Sequence, residues 1–129
     1  MNNKTIKILE MIEDEEILRK ALLSQIDPKE FEVVVAKNGE DGLKLALQEH
    51  PDIILLDLLM PKMDGMTMLK KLREDEWGKT VPVIIMTVVK DDKRIAEALE
   101  FGAHDYLVKS DFSVKEIIQR VRDRLQKSE

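Results

Sequence analysis

Ile53-Ile54-Leu55-Leu56-Asp57 decides how this chain is read. Four consecutive large apolar residues, two of them β-branched, fit a strand buried on both faces, and a carboxylate rarely closes such a run by accident. Three further runs end in the same manner. Ile8 to Ile12 runs into the acidic pair Glu13-Asp14, Val81 to Met86 into Thr87, and Tyr106-Leu107-Val108 into Lys109. Four strand ends therefore deliver three carboxylates, a hydroxyl and an ammonium.

Working outward, apolar runs and amphipathic stretches alternate along the whole chain. Strands are predicted over Lys4–Ile12, Phe31–Ala36, Asp52–Leu56, Val81–Met86 and His104–Val108. Helical spacing puts Ile17, Leu18, Ala21 and Leu22 on one face, then Leu43, Ala46 and Leu47, then Met66, Leu69 and Leu72. It recurs in Ile95, Ala98 and Leu99, and last in Val114, Ile117, Ile118, Val121 and Leu125. Asn38-Gly39 and Asp64-Gly65 supply cap chemistry at helix starts, and Gly102 stands where a helix should end. Five strands alternating with five helices predict an α/β fold, a doubly wound parallel sheet in the order 2-1-3-4-5 of the flavodoxin-like type. In that order strands 1 and 3 are neighbours at the topological switch point, so Glu13, Asp14 and Asp57 become one cluster in space.

Bulk properties narrow the function classes. At 129 residues the chain is expected to form one domain spanning 1–129, burying roughly two-thirds of its unfolded surface. A net charge of -5 argues against direct, non-specific nucleic-acid binding. The absence of cysteine removes disulfide and zinc-thiolate chemistry and suits a reducing cytoplasm. No stretch has the length and apolarity of a membrane span or a signal peptide, so no membrane partner is expected.

Three clustered carboxylates repel one another and hold their protons too tightly until a cation relieves them. Mg²⁺ suits such a set: one or two carboxylates, a carbonyl, waters and a phosphate oxygen complete its octahedron. Asp57 then fits a carboxylate nucleophile that takes a phosphoryl group as an acyl phosphate, with the cation steadying the transferring charge. Lys109 suits a point charge on phosphate oxygens, and Thr87 a hydrogen-bond donor to them. Taken singly, an Asp or Thr at a strand end is most often a turn or helix cap. Glu15 and Glu16 fit the dipole of the following helix, and Asp91 or Asp92 fits a cap. The combination of acids after strands 1 and 3, a hydroxyl after strand 4 and a lysine after strand 5 defeats that plainer reading.

Four motifs in order carry a family resemblance. They are Glu13-Asp14-Glu15, the stretch Asp57-Leu58-Leu59-Met60-Pro61-Lys62-Met63-Asp64-Gly65, Val81 to Thr87, and Gly102 to Lys109. Over essentially its whole length the chain resembles a response regulator receiver domain of two-component signalling, similar to the stand-alone chemotaxis type. The resemblance implies that Asp57 accepts phosphate from a sensor histidine kinase or phosphotransfer protein. It implies Mg²⁺ held by Glu13, Asp14, Asp57 and the Leu59 carbonyl, and phosphate bound by Thr87 and Lys109. It further implies a switch in which Thr87 moves and Tyr106 turns inward, remodelling the surface of helix 4, strand 5 and helix 5 toward a downstream protein target. Enzymatic activity beyond self-catalysed phosphoryl transfer and hydrolysis is not expected. The kinase, the target, the choice between stand-alone regulator and receiver of a longer protein, and any phosphorylation-dependent dimer are not specified by the residues.

Other readings fit less well. A pseudo-receiver acting only as an interaction module usually lacks the aspartate or lysine present here. A haloacid-dehalogenase-like phosphatase needs an acid where Leu59 stands, and a flavin binder needs a Ser/Thr/Gly-rich loop in place of Glu13-Asp14-Glu15-Glu16. Three positions depart from the resemblance. Lys109 precedes Ser110 and not proline, and a cis bond there would cost about 3–4 kcal/mol. Val88 replaces a small residue, and Glu10 lies where an inner strand is normally apolar, so it needs a partner or a raised pKa. Apolar Leu59 and Val89 flank the route of the hydrolytic water in such proteins and cannot orient it, which predicts a long-lived acyl phosphate.

Overall fold

The computed structural model describes residues 6–127. Strands and helices alternate as β1 (Lys7–Ile12), α1 (Glu16–Leu23), β2 (Phe31–Ala36), α2 (Gly39–Glu49), β3 (Ile53–Leu56), α3 (Gly65–Glu74), β4 (Val83–Thr87), α4 (Asp92–Glu100), β5 (Asp105–Val108) and α5 (Val114–Lys127). All strand pairs are parallel, in the order β2-β1-β3-β4-β5, as the sequence predicts. The predicted strand starts run early: β1 begins at Lys7, β3 at Ile53, β4 at Val83 and β5 at Asp105, while Lys4 and Thr5 lie outside the described residues. Pro82 lies one residue before β4, where its missing N–H leaves no gap in the ladder.

The sheet carries a core on each face. On one, Ile12, Ile54, Leu56, Val83 and Ile85 pack against Ala46 of α2, Met66, Leu69 and Leu72 of α3, and Ala98 of α4. On the other, Leu9, Met11, Leu55, Ile84 and Met86 meet Leu22 of α1 and Ile117, Ile118 and Val121 of α5. The predicted inner faces of α3 and α5 are the observed ones. In α1 the face differs: Leu22 and Arg19 are buried, whereas Ile17 is 84% exposed.

Helix starts follow the expected caps. Asn38 accepts from the Asp41 N–H, Asp64 from Thr67 and Asp91 from Lys93, each filling an orphan donor of the first turn. Gly102 ends α4 with φ of 80°, a left-handed backbone that glycine adopts without penalty. Arg73 of α3 braces this corner: its guanidinium donates to the carbonyls of Phe101, Gly102, Gly78 and Val81 at 2.8–3.1 Å. Trp77 is half-buried and stacks on exposed His50, ring centroids 4.3 Å apart.

Candidate metal and phosphoryl site

The carboxyl ends of β1 and β3 are tied by the Asp57 N–H, which donates to the Ile12 carbonyl at 3.0 Å. That register brings ligand oxygens of Glu13, Asp14 and Asp57 within 4.8 Å of one another. Glu13 and Asp57 are buried and Asp14 is exposed. The three line a cleft of about 290 Å³, together with Glu15, Leu59, Val88 and Lys109.

Main-chain bonds hold this edge rigidly. Glu13 donates its N–H to Ala36 at 3.0 Å, and its Oε2 accepts the Glu15 N–H at 3.0 Å. Asp57 Oδ1 accepts the Leu59 N–H at 3.4 Å. Beyond Leu59, Lys62 and Met63 adopt left-handed backbones (φ 49° and 80°), which turn their carbonyls toward the start of α2. Those carbonyls accept the N–H groups of Glu40 and Gly39 at 3.0 and 3.1 Å. Gly65 closes the loop against Asp57: a Cβ there would lie 2.2 Å from the Asp57 carbonyl oxygen, so only glycine fits this approach.

Lys109 supplies the cation of the cluster. Its Nζ lies 3.0 Å from Glu13 Oε1, 3.3 Å from Asp57 Oδ2 and 3.8 Å from Glu15 Oε1, and its side chain is only 14% exposed. Burial pushes the pKa of Glu13 and of Asp57 above the carboxylate range, and Lys109 pulls both back only in part. Burial alone would lower Lys109, but bonds to Glu13 and Asp57 outweigh it and raise its pKa. The Lys109–Ser110 peptide is trans, and Lys109–Asp111 forms a single 3₁₀ turn.

Of the predicted site residues, Glu13, Asp14, Asp57, Leu59 and Lys109 all line one cleft. Thr87 is not among its lining. It is the last residue of β4, fully buried, with its hydroxyl accepting the Val89 N–H at 3.3 Å. Val88, 64% exposed, forms that wall instead. Tyr106 donates its hydroxyl to the Val89 carbonyl at 2.7 Å. Val89 thus links both predicted switch residues through its own main chain. Arg19 was not singled out in the sequence, yet its guanidinium reaches the Glu13 carbonyl at 3.0 Å.

A sequence model of the response regulator receiver domain matches residues 9–122. The chain belongs to this family. As a receiver domain it is a signalling module and not a classical enzyme. It is similar to the probable transcriptional regulator ycf27 of Porphyridium aerugineum, with 38% identity over 94% of this chain and 48% of that protein. The transcriptional regulatory protein SrrA of Staphylococcus aureus is 35% identical over 92% of this chain and 48% of its own length. The chain spans about half the length of these curated relatives. Among solved structures, a putative response regulator from Chloroflexus aurantiacus superposes with a TM-score of 0.83 at 30% identity, covering 95% of this chain and 99% of that one. Among the described residues no helix is long and apolar enough to cross a membrane.

Proposed function

We propose that this receiver takes a phosphoryl group onto Asp57 from the phosphohistidine of a sensor histidine kinase or phosphotransfer protein, with Mg²⁺ as its cofactor. The observation that carries the reading is the convergence of three carboxylates within 4.8 Å beside one half-buried lysine ammonium. The donor set fits a hard divalent cation: its side-chain atoms are all oxygens, and Glu13 and Asp57 stand strained above their usual pKa values by burial. Glu13, Asp14, Asp57 and the Leu59 carbonyl would hold Mg²⁺. Bound there, the ion would neutralise the acids and the incoming phosphoryl charge.

In the transfer a new bond forms between an Asp57 carboxylate oxygen and phosphorus while the nitrogen–phosphorus bond of the donor breaks. The freed imidazole leaves with the electron pair and takes up a proton. Lys109 is already 3.3 Å from Asp57, close enough to stay on the phosphoryl oxygens once they arrive. Thr87 binds the phosphoryl group by giving up its contact with the Val89 N–H. That loosens the segment whose carbonyl holds Tyr106, and the α4–β5–α5 surface changes with it.

The output is control of a downstream protein or effector through that surface, with phosphorylation-dependent dimerisation as one route. Its longer relatives are named transcriptional regulators, which makes transcription the output to examine first. A cytoplasmic location, in keeping with a cysteine-free chain, belongs to the same proposal. The test is incubation with a small phosphodonor and Mg²⁺, followed by intact mass. One added phosphate is expected in the wild type and none in Asp57→Asn. An unchanged mass for both would favour a pure interaction module.

A further inference from the structure

Arg19 lies in α1, only 9% exposed, a few residues beyond the acidic run Glu13-Asp14-Glu15-Glu16. A buried guanidinium in such company is expected to take a carboxylate. It takes a carbonyl: Nη1 donates to the Glu13 main-chain oxygen at 3.0 Å, and no ion pair to Arg19 occurs among the described residues. With that bond, Glu13 makes three hydrogen bonds, and its Oε1 is left with an ion-pair contact only. Its N–H goes to Ala36, Oε2 accepts from Glu15, Oε1 faces Lys109, and its carbonyl faces Arg19.

The consequence falls on Asp14. The Glu13 carbonyl and the Asp14 nitrogen share one planar peptide, so fixing the first fixes the Asp14 N–Cα bond and leaves only its φ and side-chain torsions to aim the carboxylate. Asp14 is exposed, and Glu15, which caps α1, makes no side-chain cap bond. Arg19 does the fixing from inside the helix, where its own N–H to the Glu15 carbonyl (2.9 Å) closes the first turn.

We propose that Arg19 is a positioning residue for the cation edge: it locks the Glu13–Asp14 peptide so that Asp14 meets Asp57, while its own guanidinium occupies none of the three carboxylates. This rests on the metal reading given above. It differs in sign from the plainer roles. A bystander cation repels Mg²⁺, so removing it would tighten binding. A mere anchor for α1 would lower stability alike with and without metal and leave affinity unchanged. A positioning group weakens Mg²⁺ binding when lost.

The experiment is Mg²⁺ titration calorimetry on the intact chain, with metal-free melts alongside, for wild type, Arg19→Met, Arg19→Gln and Arg19→Lys. Met and Gln are expected to lose about tenfold or more in Mg²⁺ affinity, the usual effect of removing a group that orients a ligand. Lys, which keeps a charged donor, loses less. Should the Met variant fail to fold, the polar Gln variant carries the comparison. Met and Gln variants that bind Mg²⁺ as tightly as wild type, or tighter, overturn the role of Arg19 alone. A wild-type chain that takes no Mg²⁺ removes the metal reading itself and Arg19's role with it.

Discussion

Glu10 offers the sharpest physical test of this fold. It sits in the middle of β1, between Val34 of β2 and Ile54 of β3, and is fully buried. Its neighbours Leu9 and Met11 face the α1–α5 core, so alternation turns Glu10 toward α2 and α3. Neither carboxyl oxygen has a hydrogen-bond partner among the described residues. Of the two solutions open to such a residue, a partner or a raised pKa, the structure takes the second: burial pushes it to about 9. The folded chain therefore keeps a proton that the unfolded chain releases near 4.5. Stability from this group is fully present below pH 4.5, declines as pH rises toward about 9, and is flat beyond.

The slope is about 1.4 kcal/mol per pH unit across that window. Glu10→Gln removes the proton from the balance at nearly constant shape. The Gln variant should thus gain on wild type by about 4 kcal/mol between pH 5 and pH 8, a large share of a domain's stability. Urea melts in EDTA at several pH values read this directly, as a gap in midpoint widening by about 2 M or more at common urea slopes. Glu13 and Asp57 also have raised pKa values, but both proteins carry them, so they cancel in the difference. A gap that stays constant from pH 5 to pH 8 would refute the reasoning, because it would mean that Glu10 ionises as easily folded as unfolded.

Two further outcomes follow from the site. Lys109→Ala leaves two buried carboxylates without their cation, so metal-free stability should fall by about 3 kcal/mol in urea melts, with part recovered by Mg²⁺. Leu59, 45% exposed, lines the cleft, while Val89 stands behind Val88 in the chain and is not among the lining. Leu59→Asn with Val89→Glu should shorten the acyl-phosphate lifetime by about tenfold to a hundredfold, followed as phosphate release. Unaltered decay would show that these side chains do not limit the attacking water.

What the sequence made legible, and what it did not, divides along physical lines. A charge directly after a doubly buried strand is visible because the apolar run fixes both the depth and the end of the strand, and Glu13, Asp57 and Lys109 directly follow β1, β3 and β5. Their convergence follows from strand order, which short βα connections strongly limit. Thr87 was legible as a strand end but not in orientation. Its hydroxyl accepts the Val89 N–H, whereas the proposed function asks it to bind a phosphoryl oxygen, and residue type does not choose between them. The unpaired state of Glu10 was equally invisible, since a partner could have come from any facing helix.

Arg19 shows where apolar spacing misleads. At about 100° per residue, Leu18, Arg19 and Leu22 lie within a single arc of about 100°, whereas Ile17 lies well outside it. Counting only apolar residues centres the arc between Ile17 and Leu22 and discards the arginine. Counting volume instead, with Arg as a long apolar stem carrying a polar tip, centres it on Leu22, and Ile17 swings out to its observed 84% exposure. An arginine on that arc, one helical turn beyond an acidic strand end, is then a residue whose tip must find an acceptor at the sheet edge. The carboxylates were the obvious acceptors. Their remaining free of Arg19 is what keeps the edge available to a cation, and the bond to the Glu13 carbonyl is how the fold achieves both.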